Sequence, residues 1–387
     1  MRSRKNGEGS FAVVTIKGVK YQRYRYPNGK QVYAKTQKEL REKMKVYESS
    51  PNEDKIEITT DFTLLDSIEL WIKSMYGNLE PTTYDAYSDN LRRISTHRIS
   101  NYQIESITPE MISTILSDMA QKYSLSTIQS MNHVIKASIK HALKKNIISD
   151  FDFNKIVIPK ERDVVSKKRE VPIVIPEDIE RIYKEATAKK TIIGYKHPLS
   201  YRLLVFIMYS GLRVGEAMAL TWDDVEPDYT FIHVRGTGGR IYKRDKKGVL
   251  LNEKLKTEKI IKRPKTDKSY RTIPLPERAK EILKELDEKE HTREDFVFPS
   301  IHNSMMEYTS IQGSLKKLIK EAGCVNQNYT VHSLRHTYGS ILISKGVDIK
   351  IVSKLLGHKN VAFTYNVYIG VLKEDEIKAV SVFDQKD

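Results

Sequence analysis

Apolar residues recur every three to four positions through the first half of the chain. Leu64, Leu65, Ile68, Trp71 and Met75 make one stripe, and Tyr84, Tyr87, Leu91 and Ile94 a second. Met111, Ile112, Ile115 and Met119 make a third, and Ile128, Met131, Ile135, Ile139 and Ala142 a fourth. Pro81 and Pro109 stand where helices begin, because proline is tolerated in a first turn. The spacing predicts a compact bundle of four or five helices ending near Phe153. Upstream the residue types change. Phe11 to Lys17 and Val19 to Arg25 read as short β-branched and aromatic strands, Pro27-Asn28-Gly29 as a turn, and Gln31 to Lys35 as a third strand. Thr36 then caps a helix running to about Glu48.

Two stretches, Ser49 to Thr60 and Pro159 to Arg169, have no hydrophobic period and read as linkers. They divide the chain into residues 1–48, 61–158 and 170–387. The last unit mixes helices, one starting at Pro176, with short strands at Phe231 to Arg235, Tyr270 to Leu275 and Phe296 to Phe298. The expected fold is multidomain α+β: a small three-stranded sheet plus helix, a helical bundle, and a mixed, mainly α unit with a small antiparallel sheet.

Composition narrows the class. The 387 residues, 39% hydrophobic, are ample for a buried core and exclude a peptide hormone or a single binding module. One cysteine, Cys324, allows neither an intramolecular disulfide nor a Cys-based zinc site. The basic N-terminus lacks the apolar run of a secretory signal, so an intracellular protein is expected. The longest apolar stretch, Leu203 to Leu212, contains Ser210 and Gly211 and falls far short of the roughly 20 residues that span a bilayer.

The formal charge is +16, and its distribution says more than its sum. Residues 1–47 and residues 235–271 each carry +10, leaving the remainder at −4. Two basic surfaces on a slightly acidic body fit two nucleic-acid contacts better than general solubility charge. In the N-terminal sheet, Lys20, Arg23 and Arg25 alternate with Tyr21, Tyr24 and Tyr26. Lys20, Arg23, Arg25 and Tyr24 are candidate DNA contacts, since a sheet inserted into a groove needs basic and aromatic side chains together. Tyrosines packed on the sheet's own helix are the plainer reading, and each face can serve one role.

Candidate chemistry sits in four segments of the last unit: Ser210-Gly211-Leu212-Arg213-Val214-Gly215-Glu216-Ala217, the run from Arg263 to Arg271, Val331-His332-Ser333-Leu334-Arg335-His336-Thr337, and Leu355-Leu356-Gly357-His358 with Tyr368 ten residues on. His332 and Arg335 are three apart and share a helix face, while His336 is expected to rotate away. Gly211 permits a sharp turn into a helix. Singly these residues have bland explanations: a structural ion pair for Arg213, a helix cap for His332, a satisfied buried histidine for His358, one of 22 tyrosines for Tyr368.

Together, two arginines, a lysine, two histidines and a tyrosine in this order resemble the catalytic domain of the tyrosine recombinase (phage integrase) family. The helical unit is similar to that family's core-binding domain. The N-terminal unit resembles the arm-type DNA-binding domain of integrases from conjugative transposons and related phages. The resemblance implies Arg213 and Arg335 as the catalytic arginines, Lys265 as the hairpin lysine, His332 as general base, His358 as the second histidine and Tyr368 as nucleophile. Tyr365 competes for the last role, but the family usually places its tyrosine nine or ten residues after the histidine, which favours Tyr368.

The chemistry suits the groups. Phenol attack on a phosphodiester puts charge on non-bridging oxygens, which planar guanidinium forks match. A phenol of reference pKa near 10 needs a base, and neutral imidazole serves near pH 7. Lys265 would protonate the departing 5′-oxygen, and His358 would orient the phosphate. A 3′-phosphotyrosine keeps the bond energy, so no ATP, metal or other cofactor is expected. Glu216, three residues after Arg213, fits either a support for a catalytic side chain or an ordinary helix ion pair.

The implied function is a site-specific recombinase that integrates and excises a mobile element, a conjugative transposon or prophage. Its implied partners are core-type and arm-type double-stranded DNA sites, three further copies of itself in a tetramer on DNA, an excision factor and a DNA-bending protein, in the cytoplasm of a bacterium. Two alternatives are a type IB topoisomerase-like relaxing enzyme and a DNA-binding regulator without catalysis. Residues 240–262 form a basic hairpin that fits either DNA or a neighbouring protomer. The apolar tail from Leu372 to Asp387 fits docking on its own or a neighbouring protomer.

Overall fold

A computed structural model of the chain describes residues 10–16, 19–25, 31–49, 62–166, 171–188, 199–244, 257–262, 270–358, 360–365, 367 and 368. These belong to two compact units, Met1–Thr63 with Gln103–Glu105, and Leu64–Tyr102 with Ser106–Asp387.

In the first unit β1 (Ser10–Ile16), β2 (Val19–Arg25) and β3 (Gln31–Ala34) form an antiparallel sheet in sequence order, followed by α1 (Gln37–Ser49). Thr36 Oγ1 accepts the Glu39 amide at 3.2 Å and the Glu39 carboxylate accepts the Lys35 amide at 3.2 Å, closing the helix start. Register splits the candidate DNA contacts. Gln22 pairs with Ala34 and Arg23 with Tyr33, so Lys20 and Tyr24 share the face of buried Ala34, whereas Arg23 and Arg25 share the face of exposed Tyr33. The period of two separates them, so they do not form one surface.

The second unit opens with α2 (Leu64–Ser74), α3 (Pro81–Ser95), α4 (Pro109–Ala120) and α5 (Leu125–Lys144). Both prolines occupy the first turn. Leu64, Ile68, Trp71, Ile94, Ile112, Ile115, Ile128, Ile135 and Ile139 are buried between the helices. The four apolar stripes thus become one core.

The mixed part follows as α6 (Pro176–Thr187), α7 (Leu199–Ser210), α8 (Val214–Met218), β4 (Phe231–Val234), β5 (Thr237–Tyr242), β6 (Thr257–Lys262), β7 (Arg271–Pro274), α9 (Glu277–Asp287), α10 (Tyr308–Glu321), α11 (Val331–Ser344) and α12 (Ile349–Leu356). Helix α7 is apolar nearly all round because α6, α9, α10 and α11 all pack on it. Its one charge, Arg202, is fully buried, with its fork on Glu285 at 2.9 and 3.1 Å.

Two of the expected strands form: β4 pairs antiparallel with β7, Ile232 opposite Ile273. Phe296 to Phe298 does not become a strand. It makes a single bridge, Phe296 to Thr221, because its neighbour there is the bend around Trp222 rather than an extended segment.

The basic segment supplies β5 and β6, an antiparallel pair with Thr237 opposite Lys262. The Arg244 guanidinium lies 2.7 Å from Asp85 of α3 and 4.6 Å over the Tyr84 ring, while the Tyr242 amide donates to Asp85 at 2.8 Å. The described end of this hairpin therefore clasps the chain's own helical bundle. Among the described residues no helix is long and apolar enough to cross a membrane.

Candidate active site

Helix α7 ends at Ser210, and Gly211 turns the chain with φ +67°. A Cβ there would collide with the Tyr338 ring, so both backbone and space require glycine. The turn sets Arg213 at the start of α8, where Glu216 accepts the Arg213 amide at 2.7 Å and Nη1 at 2.9 Å. Thr330 caps α11 by accepting the Ser333 amide at 3.1 Å, which places His332 in its first turn and Arg335 one turn further on.

The arginines meet at the C-terminus of α12. Arg335 donates to the Leu356 carbonyl and, at 2.6 Å, to the Gly211 carbonyl; Arg213 Nη2 donates to the Gly357 carbonyl at 2.8 Å. Arg271, at the start of β7, donates Nε to the Leu355 carbonyl at 2.9 Å. Three successive carbonyls are thus held by three guanidiniums, at the end of a helix whose unpaired carbonyls carry partial negative charge. Glu216 sits between them. Arg271 forks onto its two oxygens at 3.0 and 2.8 Å, and Arg335 lies 3.9 Å away. Burial raises the Glu216 pKa, but the Arg271 hydrogen bonds and charge, with Arg213, outweigh it and hold the carboxyl at about 2. Desolvation and the Arg213 charge, opposed by Glu216, bring Arg335 down to about 9.

His358 follows the helix end directly. Its Nδ1 is 2.8 Å from Thr364 Oγ1, and its ring meets Phe363 edge-on, which fixes its orientation. Desolvation, then Arg335, Arg213 and Arg271, depress its pKa to about 4. Desolvation, then Arg335 and Arg213, also lower His332. Both imidazoles are neutral near pH 7, as a base or a neutral hydrogen-bonding group requires.

Tyr368 is 3% exposed and packs with Ile343, Val352 and Leu356. Its phenol lies against Gly339 so closely that a Cβ there would overlap the hydroxyl. Burial pushes its pKa up to about 12, against the pull of Arg335. Tyr365, the competitor, is 44% exposed. His336 corrects the sequence expectation. It does not rotate away but stacks on the Tyr368 ring, with centroids 4.7 Å apart and an interplanar angle of 20°. A spacing of four residues turns through ~400°, so His336 lies as close to the His332 face as Arg335 does.

Arg213, His332, Arg335 and His358 therefore gather around one helix end with the Tyr368 pocket beside them. Lys265 and the tail from Leu372 lie outside the described residues. Sequence reading missed Arg271, His336, Gly339 and Thr364 as parts of the site. The first two stood inside segments already singled out, and the spacing of four should have retained His336. Nothing local marks the other two.

One consequence is a pH-dependent stability. Desolvation and neighbouring charge bring His336 and His358 to about 4, against an ordinary value of 6.5. The unfolded chain then binds more protons below pH 6.5, so the stability they contribute is full above that value and is lost as pH falls toward 4. The thermal midpoint should fall across this window, and His336→Gln should flatten the fall. A midpoint unchanged between pH 6.5 and 4 would remove the basis for neutral, desolvated imidazoles.

The profile of the phage integrase family matches residues 173–375. A tyrosine recombinase XerC-like protein of Caldanaerobacter subterraneus subsp. tengcongensis is 27% identical over 98% of this chain and 97% of its own length. An integrase from a Staphylococcus phage is 23% identical over 87% of this chain and 95% of its own. The Tn1549 transposon integrase, solved in complex with transposon right end DNA, shares the fold with a TM-score of 0.61 and 19% identity, covering 82% of this chain and 99% of that one. The chain belongs to the phage integrase family. It is a tyrosine-type site-specific recombinase of a mobile genetic element.

Proposed function

We propose that Tyr368 Oη attacks a scissile phosphorus, giving a 3′-phosphotyrosine and releasing a 5′-hydroxyl. The phenol proton passes to His332, Lys265 protonates the departing 5′-oxygen, Arg213 and Arg335 clamp the non-bridging oxygens, and His358 orients the phosphate. The observation that carries this reading is the convergence of Arg213, Arg335 and His358 on the C-terminus of α12 beside the Tyr368 pocket. The two clamp arginines sit on backbone carbonyls, partners that the non-bridging oxygens of a phosphodiester can replace. Glu216 supports Arg213 from behind.

Residues 1–48 would grip arm-type sites, while 61–158 and 170–387 would hold the core-type site; that the Tn1549 integrase was solved on transposon-end DNA supports the core contact. A homotetramer on two duplexes, an excision factor and a DNA-bending protein, acting in the bacterial cytoplasm, complete the reading. A cleft of about 720 Å³ beside His358 is lined by Arg235, Lys350 and Lys354, one helical turn apart on α12 in the case of the lysines. It fits the sugar-phosphate backbone next to the scissile bond. Lys354→Gln should weaken core-site binding and reduce its log–log salt slope by about one unit for each phosphate no longer neutralised. An unchanged slope, measured by anisotropy titration from low to moderate salt, would take this cleft out of the DNA path.

The decisive test is incubation of the protein, in EDTA, with labelled nicked duplexes tiling the DNA beside its own gene. A covalent protein–DNA band on a denaturing gel is expected. Tight salt-sensitive binding without a band on any tile would favour the DNA-binding regulator.

A further inference from the structure

We infer that Arg271 is a positioning residue of strand cleavage, holding Glu216 and the end of α12 in place while Arg213 and Arg335 transfer from backbone carbonyls to the phosphate. The inference rests on the clamp role proposed for Arg213.

The three guanidiniums at the helix end are not equivalent. The Arg213 side chain is 45% exposed, so it is free to turn outward, whereas Arg271 is 7% exposed. Arg271 commits its donors to fixed protein groups: Nη1 and Nη2 to the Glu216 oxygens at 3.0 and 2.8 Å, and Nε to the Leu355 carbonyl at 2.9 Å. It therefore ties α8, which carries Arg213 at its start, to α12, which delivers His358. Its backbone is fixed too, since Arg271 pairs with Val234 across the β4–β7 ladder.

Engaging a phosphate changes the partners of the other two. Arg213 must give up the Gly357 carbonyl, and Arg335 the Leu356 carbonyl. Without Arg271 that exchange would leave the buried carboxylate and the frayed helix end unpaired together, and Glu216 would lose the alignment that aims Arg213. A planar fork that grips both carboxylate oxygens while a further donor reaches a carbonyl is a guanidinium property; an ammonium cannot reproduce it. Arg271 lines the cleft beside His358, but Nε, Nη1 and Nη2 are already held by the Leu355 carbonyl and Glu216, so it acts through Arg213 rather than on the reacting atoms.

The test compares wild type, Arg271→Lys, Arg213→Lys and the double variant on one nicked duplex, measuring the single-turnover cleavage rate at saturating protein, the DNA dissociation constant and the thermal midpoint. Arg271→Lys should slow cleavage by about 10²-fold, the cost typical of a misplaced catalytic group, with the dissociation constant within about two-fold. In the Arg213→Lys background the same change should cost less than about three-fold more, because groups acting as a unit are not additive. If Arg271→Lys unfolds at the assay temperature, Arg271→Gln, which keeps an amide donor for Glu216, carries the same comparison. An equal loss in both backgrounds, a loss confined to DNA affinity, or a wild-type cleavage rate would overturn the inference. Wild-type cleavage by Arg213→Lys would instead overturn the clamp role of Arg213, a separate failure.

Discussion

Tyr368→Phe should abolish the covalent protein–DNA complex while leaving core-site affinity and thermal stability near those of the native protein. The ring carries the packing: it lies among Ile343, Val352 and Leu356 and stacks on His336, contacts that phenylalanine keeps. Only the hydroxyl is lost, from a pocket that already pushes the phenol's pKa up to about 12 by burial. Removing a polar atom from such surroundings costs little stability. The chemistry would have no substitute if, as proposed, that oxygen makes the bond to phosphorus. The measurement is the labelled covalent band on a denaturing gel in EDTA, with anisotropy and thermal unfolding as controls. A band persisting in the variant would move the nucleophile, with exposed Tyr365 as the next residue to replace.

Glu216→Ala should lower the unfolding free energy by about 3–5 kcal/mol, the cost of stripping a buried ion pair of one partner. Arg271 is 7% and Arg335 3% exposed, so removing the carboxylate leaves two largely buried guanidiniums without it. Glu216 also favours the charged form of Arg335 against desolvation, so its loss leaves a buried guanidinium without its carboxylate partner. Urea unfolding followed by circular dichroism should show a lower midpoint with an unchanged slope. Glu216→Gln, which keeps the shape and one acceptor, should cost less. A loss under about 1 kcal/mol for the alanine variant would show that the arginines find other partners and that the carboxylate is dispensable.

Much of this arrangement was legible beforehand because local signals agreed. The four stripes from Leu64 to Ala142 became helices with Pro81 and Pro109 in their first turns, and Thr36 capped α1 through the pairing its neighbours Lys35 and Glu39 allow. Gly211 before Arg213 announced a sharp turn, which the structure makes with φ +67° and no room for a side chain beside the Tyr338 ring. What sequence left hidden is tertiary. That Arg271 shares a carboxylate with Arg213 depends on β7 running antiparallel to β4, and no periodicity reports which helix end a strand will reach. The face each basic residue takes in the N-terminal sheet depends on a one-residue register. Phe296 to Phe298 had strand composition but met a bend instead of a partner strand, so propensity lost to topology.

The sheathing of the Tyr368 hydroxyl against Gly339 has a consequence for the cell that hosts the element. A recombinase scanning a chromosome meets vastly more wrong sequence than right. One whose nucleophile stood ready in solvent would nick wherever it paused. With Tyr368 as the proposed nucleophile, the phenol would have to leave the His336 stack and its apolar slot before it could attack. Encounters shorter than that exit would then end without a cut. Dwell time, as well as recognition, would thereby guard the genome.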